Sequence, residues 1–282
     1  MTAQHRTFRE RDSAPGTRLS PPLVAVGGVR APRISAIVCA YNEADRIQRI
    51  LDAVHGHPAL SEVIVVNDGS TDETDALLCR YPNIRVISYK PNRGKTYALA
   101  RGAAAARSEY LMMLDADLEG VTAADIQALA DPVVSGRAGV SISLRRNSLF
   151  IYRMAGLDFV SGERVIPAWL LRGAVEEMEN LPRWGGESFI NNLIVRERLP
   201  IMVVDWRTVF NVRKHTKLGR WRGFVAELSM VRDALRVLTA WGVIRQNLAL
   251  LRLRRRSWVR PSRGPVFGYA FQEHAPDQPV EN

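Results

Sequence analysis

From Ile34 onward, short apolar runs alternate with longer stretches of helical periodicity, and this alternation constrains the fold more than any other feature. The runs are Ile34–Val38, Val63–Val66, Ile84–Ile87, Tyr110–Leu114 and Val140–Leu144. Strands separated by helix-length connections pair in parallel, and a parallel sheet needs helices on both faces to bury it. The reading is therefore an α/β fold, a doubly wound and mostly parallel sheet. Helix starts are legible between the runs. Asn42 is placed to cap the first helix, Ser70 or Thr71 the second, and Thr122 with Asp125 forms a capping-box pattern for the fourth. The third, Lys95 to Ala106, is rich in alanine and comes directly after Gly94.

The flanks read differently. Residues 1–33 are rich in Arg, Pro, Ser and Gly without sustained periodicity, which predicts a flexible N-terminal arm. Residues 34–220 are read as the folded domain, divided into a first half at 34–144 and a second half at 145–220. Residues 221–282 are a helical basic extension. The net charge of +10 is concentrated late, from Arg207 and Lys214 through Arg232 and Arg245 to Arg252–Arg256, against only Asp205, Glu227 and Asp233. Phe224, Leu228, Val231, Leu235 and Leu238 recur at helical spacing with Arg232, Asp233 and Arg236 opposite, an amphipathic pattern. Such a helix packs on its own domain or lies on an anionic membrane surface. No run reaches the roughly 18 apolar residues of a membrane span, and the N-terminus shows no secretory h-region. The expected location is cytoplasmic, or peripheral on the inner face of the membrane. Cys39 and Cys79 have no partner at metal or redox spacing and read as buried, reduced and structural.

Ligands of such sheets bind beyond the carboxyl ends of the strands. The residues there are polar and acidic: Tyr41-Asn42-Glu43 after the first run, Asn67-Asp68-Gly69-Ser70 after the second, Asp115-Ala116-Asp117 after the fourth. Period-two alternation turns the carboxylates of Asp115 and Asp117 the same way. Two carboxylates at the end of a buried strand suit Mg2+ or Mn2+, which take one or two protein carboxylates when a diphosphate supplies further oxygens. Asn92-Arg93-Gly94-Lys95, at the start of a helix, brings cationic groups and backbone donors toward such a diphosphate.

Four stretches, in order, resemble the family 2 glycosyltransferases of the GT-A fold. They are Val38-Cys39-Ala40-Tyr41-Asn42-Glu43, Val65 to Asp72, Asn92 to Ala100, and Leu114-Asp115-Ala116-Asp117. The resemblance covers about Ile34 to Leu144. It implies a nucleoside-diphosphate-sugar donor, with Tyr41, Glu43 and Asp68 at the nucleoside, Lys95 and Asp115 at the sugar diphosphate, and Asp117 on the divalent metal. It further implies His215 as a late metal ligand and Glu187, in Trp184-Gly185-Gly186-Glu187-Ser188, as the base near the acceptor. Ser161-Gly162-Glu163-Arg164 resembles an acceptor-side loop. The family's Glu-Asp pair near the acceptor is absent, so the acceptor is a hydroxyl that needs a base or a lipid phosphate that does not. Family 2 enzymes usually invert the anomeric configuration.

The alternative is a non-catalytic sugar-nucleotide-binding or membrane-associated scaffold of the same fold, against which the intact Asp115 and Asp117 argue. No nucleic-acid partner is expected, because the basic segment lacks a recognition motif or an interleaved aromatic platform. A dinucleotide dehydrogenase would place GxGxxG after the first strand, and none is there.

Overall fold

The computed structural model describes residues 33–211 and 239–259. Its core is an eight-stranded sheet in the order β10-β8-β6-β7-β4-β1-β2-β3. The strands are β1 (Ile34–Ala40), β2 (Glu62–Asn67), β3 (Ile84–Ser88), β4 (Tyr110–Asp115), β6 (Val140–Arg145), β7 (Arg164–Pro167), β8 (Ile201–Trp206) and β10 (Arg254–Val259). All five apolar runs are strands. Only β7 runs against its neighbours, β4 and β6. A second, two-stranded sheet joins β5 (Leu118–Glu119) to β9 (Phe210–Asn211), with Leu118 opposite Asn211.

Alternation along each strand splits the core in two. Ile37, Ile64, Val66, Leu111 and Met113 face α3 (Lys95–Ala105), α6 (Trp169–Arg172), α7 (Val175–Glu179) and α8 (Gly186–Arg196). Ala36, Val38, Val63, Val65, Met112 and Leu114 face α1 (Ile47–Val54), α2 (Thr74–Leu78) and α4 (Ala123–Val134). The alanine-rich composition of α3 has a packing cause. At Gly102 a Cβ would lie 2.5 Å from a methyl of Ile37, so only small residues let this helix lie so close to β1. α5 (Phe150–Ala155) comes after β6 and buries none of its residues. α9 (Ala240–Leu253) lies against α8, where Gln246 donates to the Ser188 carbonyl and to Asn192.

Several sequence readings change here. The Thr122–Asp125 capping box is formed as expected, but Asn42 is not a cap. Its φ is 54° and its side chain accepts from the Thr71 amide, lacing the loop after β1 to the loop after β2, while α1 begins at Ile47. Nor do Ser70 and Thr71 cap α2; Asp72 accepts from the Thr74 amide at its start. Cys79 is exposed, so the expected burial does not hold for it; Cys39 is half-buried as a residue, and burial pushes its thiol above the usual cysteine range. Residues 254–259 are not tail but the edge strand β10, paired in parallel with β8. The 1–33 arm, apart from Arg33, the helix read at Phe224–Leu238 and His215 lie outside the described residues. Among the described residues, no helix is long and apolar enough to cross a membrane.

Candidate active site

β4 delivers Asp115 and Asp117 to the carboxyl edge of the sheet, beside the end of β1 and the start of the antiparallel β7. The amide nitrogen of Asn211 donates to both, 3.3 Å from Asp115 Oδ2 and 3.1 Å from Asp117 Oδ1. The two carboxylates therefore converge on one point. Asn211 reaches it because β9 pairs with β5, the strand immediately after Asp117. Its amide orientation is fixed from behind, since Arg145 Nη1 donates to Asn211 Oδ1. Arg145 is held in turn by Asp158 and Glu163, each at 3.2 Å. Burial alone would lower the Arg145 pKa, but these two carboxylates raise it above the usual guanidinium range. Glu163 is fully buried and also takes bonds from Ser143 and Ser161; burial pushes its carboxyl upward while Arg145 opposes that.

Lys95 lies on the other side of Asp115. Its ammonium sits 2.6 Å from Asp115 Oδ1 and 2.8 Å from Glu187 Oε1, with all three side chains at most 20% exposed. Burial would lower the lysine pKa, but the two carboxylates hold it above the usual lysine range. The ammonium is an internal counter-ion joining the strand-end aspartate to the start of α8. Gly162 makes room for it, because a Cβ there would stand 2.6 Å from Lys95 Nζ and 2.8 Å from Asp115 Oδ1. Thr96 ties the two helix starts together, donating to the Arg183 carbonyl and accepting from the Gly186 amide.

Asp68 sits deeper than a rim residue should. It is 3% exposed, and its oxygens accept from the Asn92 side chain and from the amides of Arg93 and Gly94. Its carboxylate fixes the loop that presents Lys95. Arg93, the other cation of that loop, lies over the Tyr97 ring at 3.6 Å. Tyr41 is exposed at the rim, and Glu43 pairs with Arg46 at 3.3 Å. Arg164 of the loop read as acceptor-side is fully buried and clamps the Ser161 carbonyl and Asn191.

The structure thus brings Asp115, Asp117, Lys95 and Glu187 together and keeps Asp68 beneath them. Sequence reading missed Asn211, Arg145 and the packing role of Gly162. Arg145 could have been found, because it stands directly after the fifth apolar run at the ligand edge. Asn211 carries no local signal, lying in a two-residue strand 94 positions from Asp117. Among the described residues no cluster of three or more His, Cys, Asp or Glu side chains could hold a metal by itself.

Residues 35–169 match the family model described as glycosyl transferase family 2. The succinoglycan biosynthesis protein ExoO of Rhizobium meliloti (strain 1021) is 34% identical over 102 residues, 35% of this chain and 28% of that protein. A dolichyl-phosphate beta-glucosyltransferase of Homo sapiens is 31% identical over 132 residues, 42% of this chain and 41% of that one. The chain thus spans less than half the length of these relatives. Among solved structures, glucosyl-3-phosphoglycerate synthase from Mycobacterium tuberculosis superposes with a TM-score of 0.57 at 21% identity, covering 73% of this chain and 80% of that one. The fold is shared with that GT-A enzyme, which has also been solved with Mn2+, uridine-diphosphate-glucose and phosphoglyceric acid.

Proposed function

With residues 35–169 belonging to glycosyl transferase family 2, we propose that the chain is a metal-assisted glycosyltransferase moving a sugar from a nucleoside diphosphate to a lipid-linked acceptor. The observation that carries this reading is the convergence of Asp115 and Asp117 on the Asn211 amide at the end of a buried strand. Two carboxylates meeting at one point fit a hard divalent ion, Mg2+ or Mn2+, whose remaining positions a diphosphate fills. Asp117 is the better ligand, because one oxygen of Asp115 is already ion-paired with Lys95. His215 remains the proposed further ligand. When bound, the ion would supply Lewis-acid stabilisation of the charge that builds on the departing diphosphate.

The chain's own residues do the rest. Tyr41 offers an exposed ring to the nucleoside base beside Glu43, and Asp68 holds the loop below them. Lys95 holds Asp115 and Glu187 in place through its two ion pairs. Glu187 Oε1 is already taken by the Lys95 ammonium at 2.8 Å, so less of this carboxylate is open to receive the proton of a hydroxyl acceptor. This favours an acceptor that arrives already ionised, a lipid phosphate. The names of the dolichyl-phosphate relatives agree with that class. Attack opposite the leaving group would invert the anomeric carbon, and the enzyme would work as a peripheral protein at the inner face of an anionic membrane.

The reading is tested by melting the protein with a panel of nucleoside diphosphates, with manganese and with chelator. One nucleotide at about a hundred times its Kd should raise Tm by about 5 to 10 °C, with manganese only. No stabilisation by any nucleotide would remove the donor assignment.

Asn211 gives a second expectation. Asn211→Ala leaves both aspartates without their common donor, and partners of this kind are worth about 10- to 100-fold in metal affinity. Manganese titration followed by electron paramagnetic resonance should show a loss in that range with Tm little changed. Unaltered affinity would show that Asn211 does not position the pair.

A further inference from the structure

α5 and the outward face of α9 share an unusual composition. Phe150 and Met154 of α5 are 78% and 73% exposed, and Leu149 and Ile151 beside them are exposed as well. On α9, Trp241 is 75% exposed, with Ile244 and Leu248 exposed beside it. At 100° per residue, Trp241, Ile244, Arg245, Leu248 and Arg252 fall on one side of α9, and Gln246 and Leu250, which are buried, fall on the other. These side chains therefore belong to the face turned away from α8. The C-terminal ends of the two elements are linked where Arg254, directly after α9, donates to the carbonyl of Gly156, directly after α5, 3.0 Å away.

Charge decides what such a surface fits. Residues 145–156 contain three arginines and no carboxylate, and residues 240–259 contain five arginines and no carboxylate. Arg146 and Arg153 are exposed beside the apolar residues of α5, as Arg245 and Arg252 are on α9. Large apolar side chains interleaved with arginine, without acidic residues, match a bilayer interface. The rings and aliphatic chains enter the acyl boundary while the guanidinium groups meet anionic headgroups.

We propose that α5 and the outward face of α9 seat the protein on an anionic lipid bilayer. The idea deepens the lipid-acceptor reading and rests on it for its purpose, while its evidence is the surface itself. The turn that leads into α5 is also tied to the candidate site. Asn147 donates to the Asn211 carbonyl and Ser148 to Asp158, the two residues that flank Arg145. A bilayer that takes up α5 is therefore held next to the residue on which Asp115 and Asp117 converge.

The test is co-flotation of the full chain with vesicles of phosphatidylcholine alone and of phosphatidylcholine with phosphatidylglycerol. Binding should occur on the anionic vesicles and weaken as salt is raised. Phe150→Ser/Met154→Ser and Trp241→Ser/Leu248→Ser should each cut the bound fraction about fivefold or more. Their circular dichroism melts, and their manganese-dependent nucleotide binding without vesicles, should match wild type. Absence of anionic binding, equal binding to both vesicles, or binding that both variants retain overturns the proposal. So does self-association in solution that the variants abolish, which would give the face to a second copy. If wild type floats as expected yet binds no nucleotide with manganese, the donor assignment fails and the membrane surface stands.

Discussion

Asp117→Asn should abolish manganese-dependent nucleotide binding and lower turnover by at least about a hundredfold, with Tm almost unchanged. The expectation is electrostatic. Lys95 brings one positive charge to Asp115 and Glu187 together, so that cluster already carries an excess of negative charge before Asp117 is counted. A diphosphate approaching this edge would be repelled unless a divalent ion reversed the sign. Asparagine keeps the shape of the side chain and an oxygen for the Asn211 amide, so the loss should fall on charge and leave the fold intact. Donor hydrolysis or transfer is to be measured with manganese, with magnesium and with chelator for both proteins. Wild-type activity that persists in chelator, or normal turnover by the variant, would falsify the metal assignment.

Lys95→Met should be the most damaging single change to the stability of this site. It removes the cation from between two carboxylates that are at most 20% exposed and leaves them facing each other. Breaking a buried pair in this way costs about 3 to 5 kcal/mol. Denaturant unfolding should show a loss of that order, and the double variant Lys95→Met/Glu187→Gln should recover part of it, because the second change removes one of the opposed charges. The lysine pKa is raised by folding, so its stabilisation is complete below the ordinary lysine range and is lost only at higher pH. The deficit of the variant should therefore be constant between about pH 6 and 9. Wild-type stability in Lys95→Met, or no recovery in the double variant, would show that the three side chains do not act as a unit.

The two variants separate the roles of neighbouring residues that look alike in the sequence. Asp115 and Asp117 are two positions apart, yet Asp115 is ion-paired with Lys95 while Asp117 is the residue proposed to hold the metal. Lys95 comes after a glycine at a helix start, a position that reads as a phosphate contact. The loop held by Asp68 and the space left at Gly162 turn it inward.

Periodicity and strand-end chemistry in the sequence determined the sheet, five of its strands and the acidic edge. Both depend on residues within one element, since alternation places side chains on a face and a strand end presents the residues next in the chain. The capping box at Thr122 was legible for the same reason, being made by residues three apart. The tertiary structure alone decided what those acidic residues are paired with. Lys95 and Glu187 are 92 positions apart, and Asn211 lies 94 from Asp117. Such partners are chosen by how strands and helices pack, and a buried charge takes whichever opposite charge the packing brings within hydrogen-bond reach. The same packing recruited Arg254–Val259 into the sheet. A run of arginines reads as solvated tail until a neighbouring strand edge is there to take up its backbone hydrogen bonds.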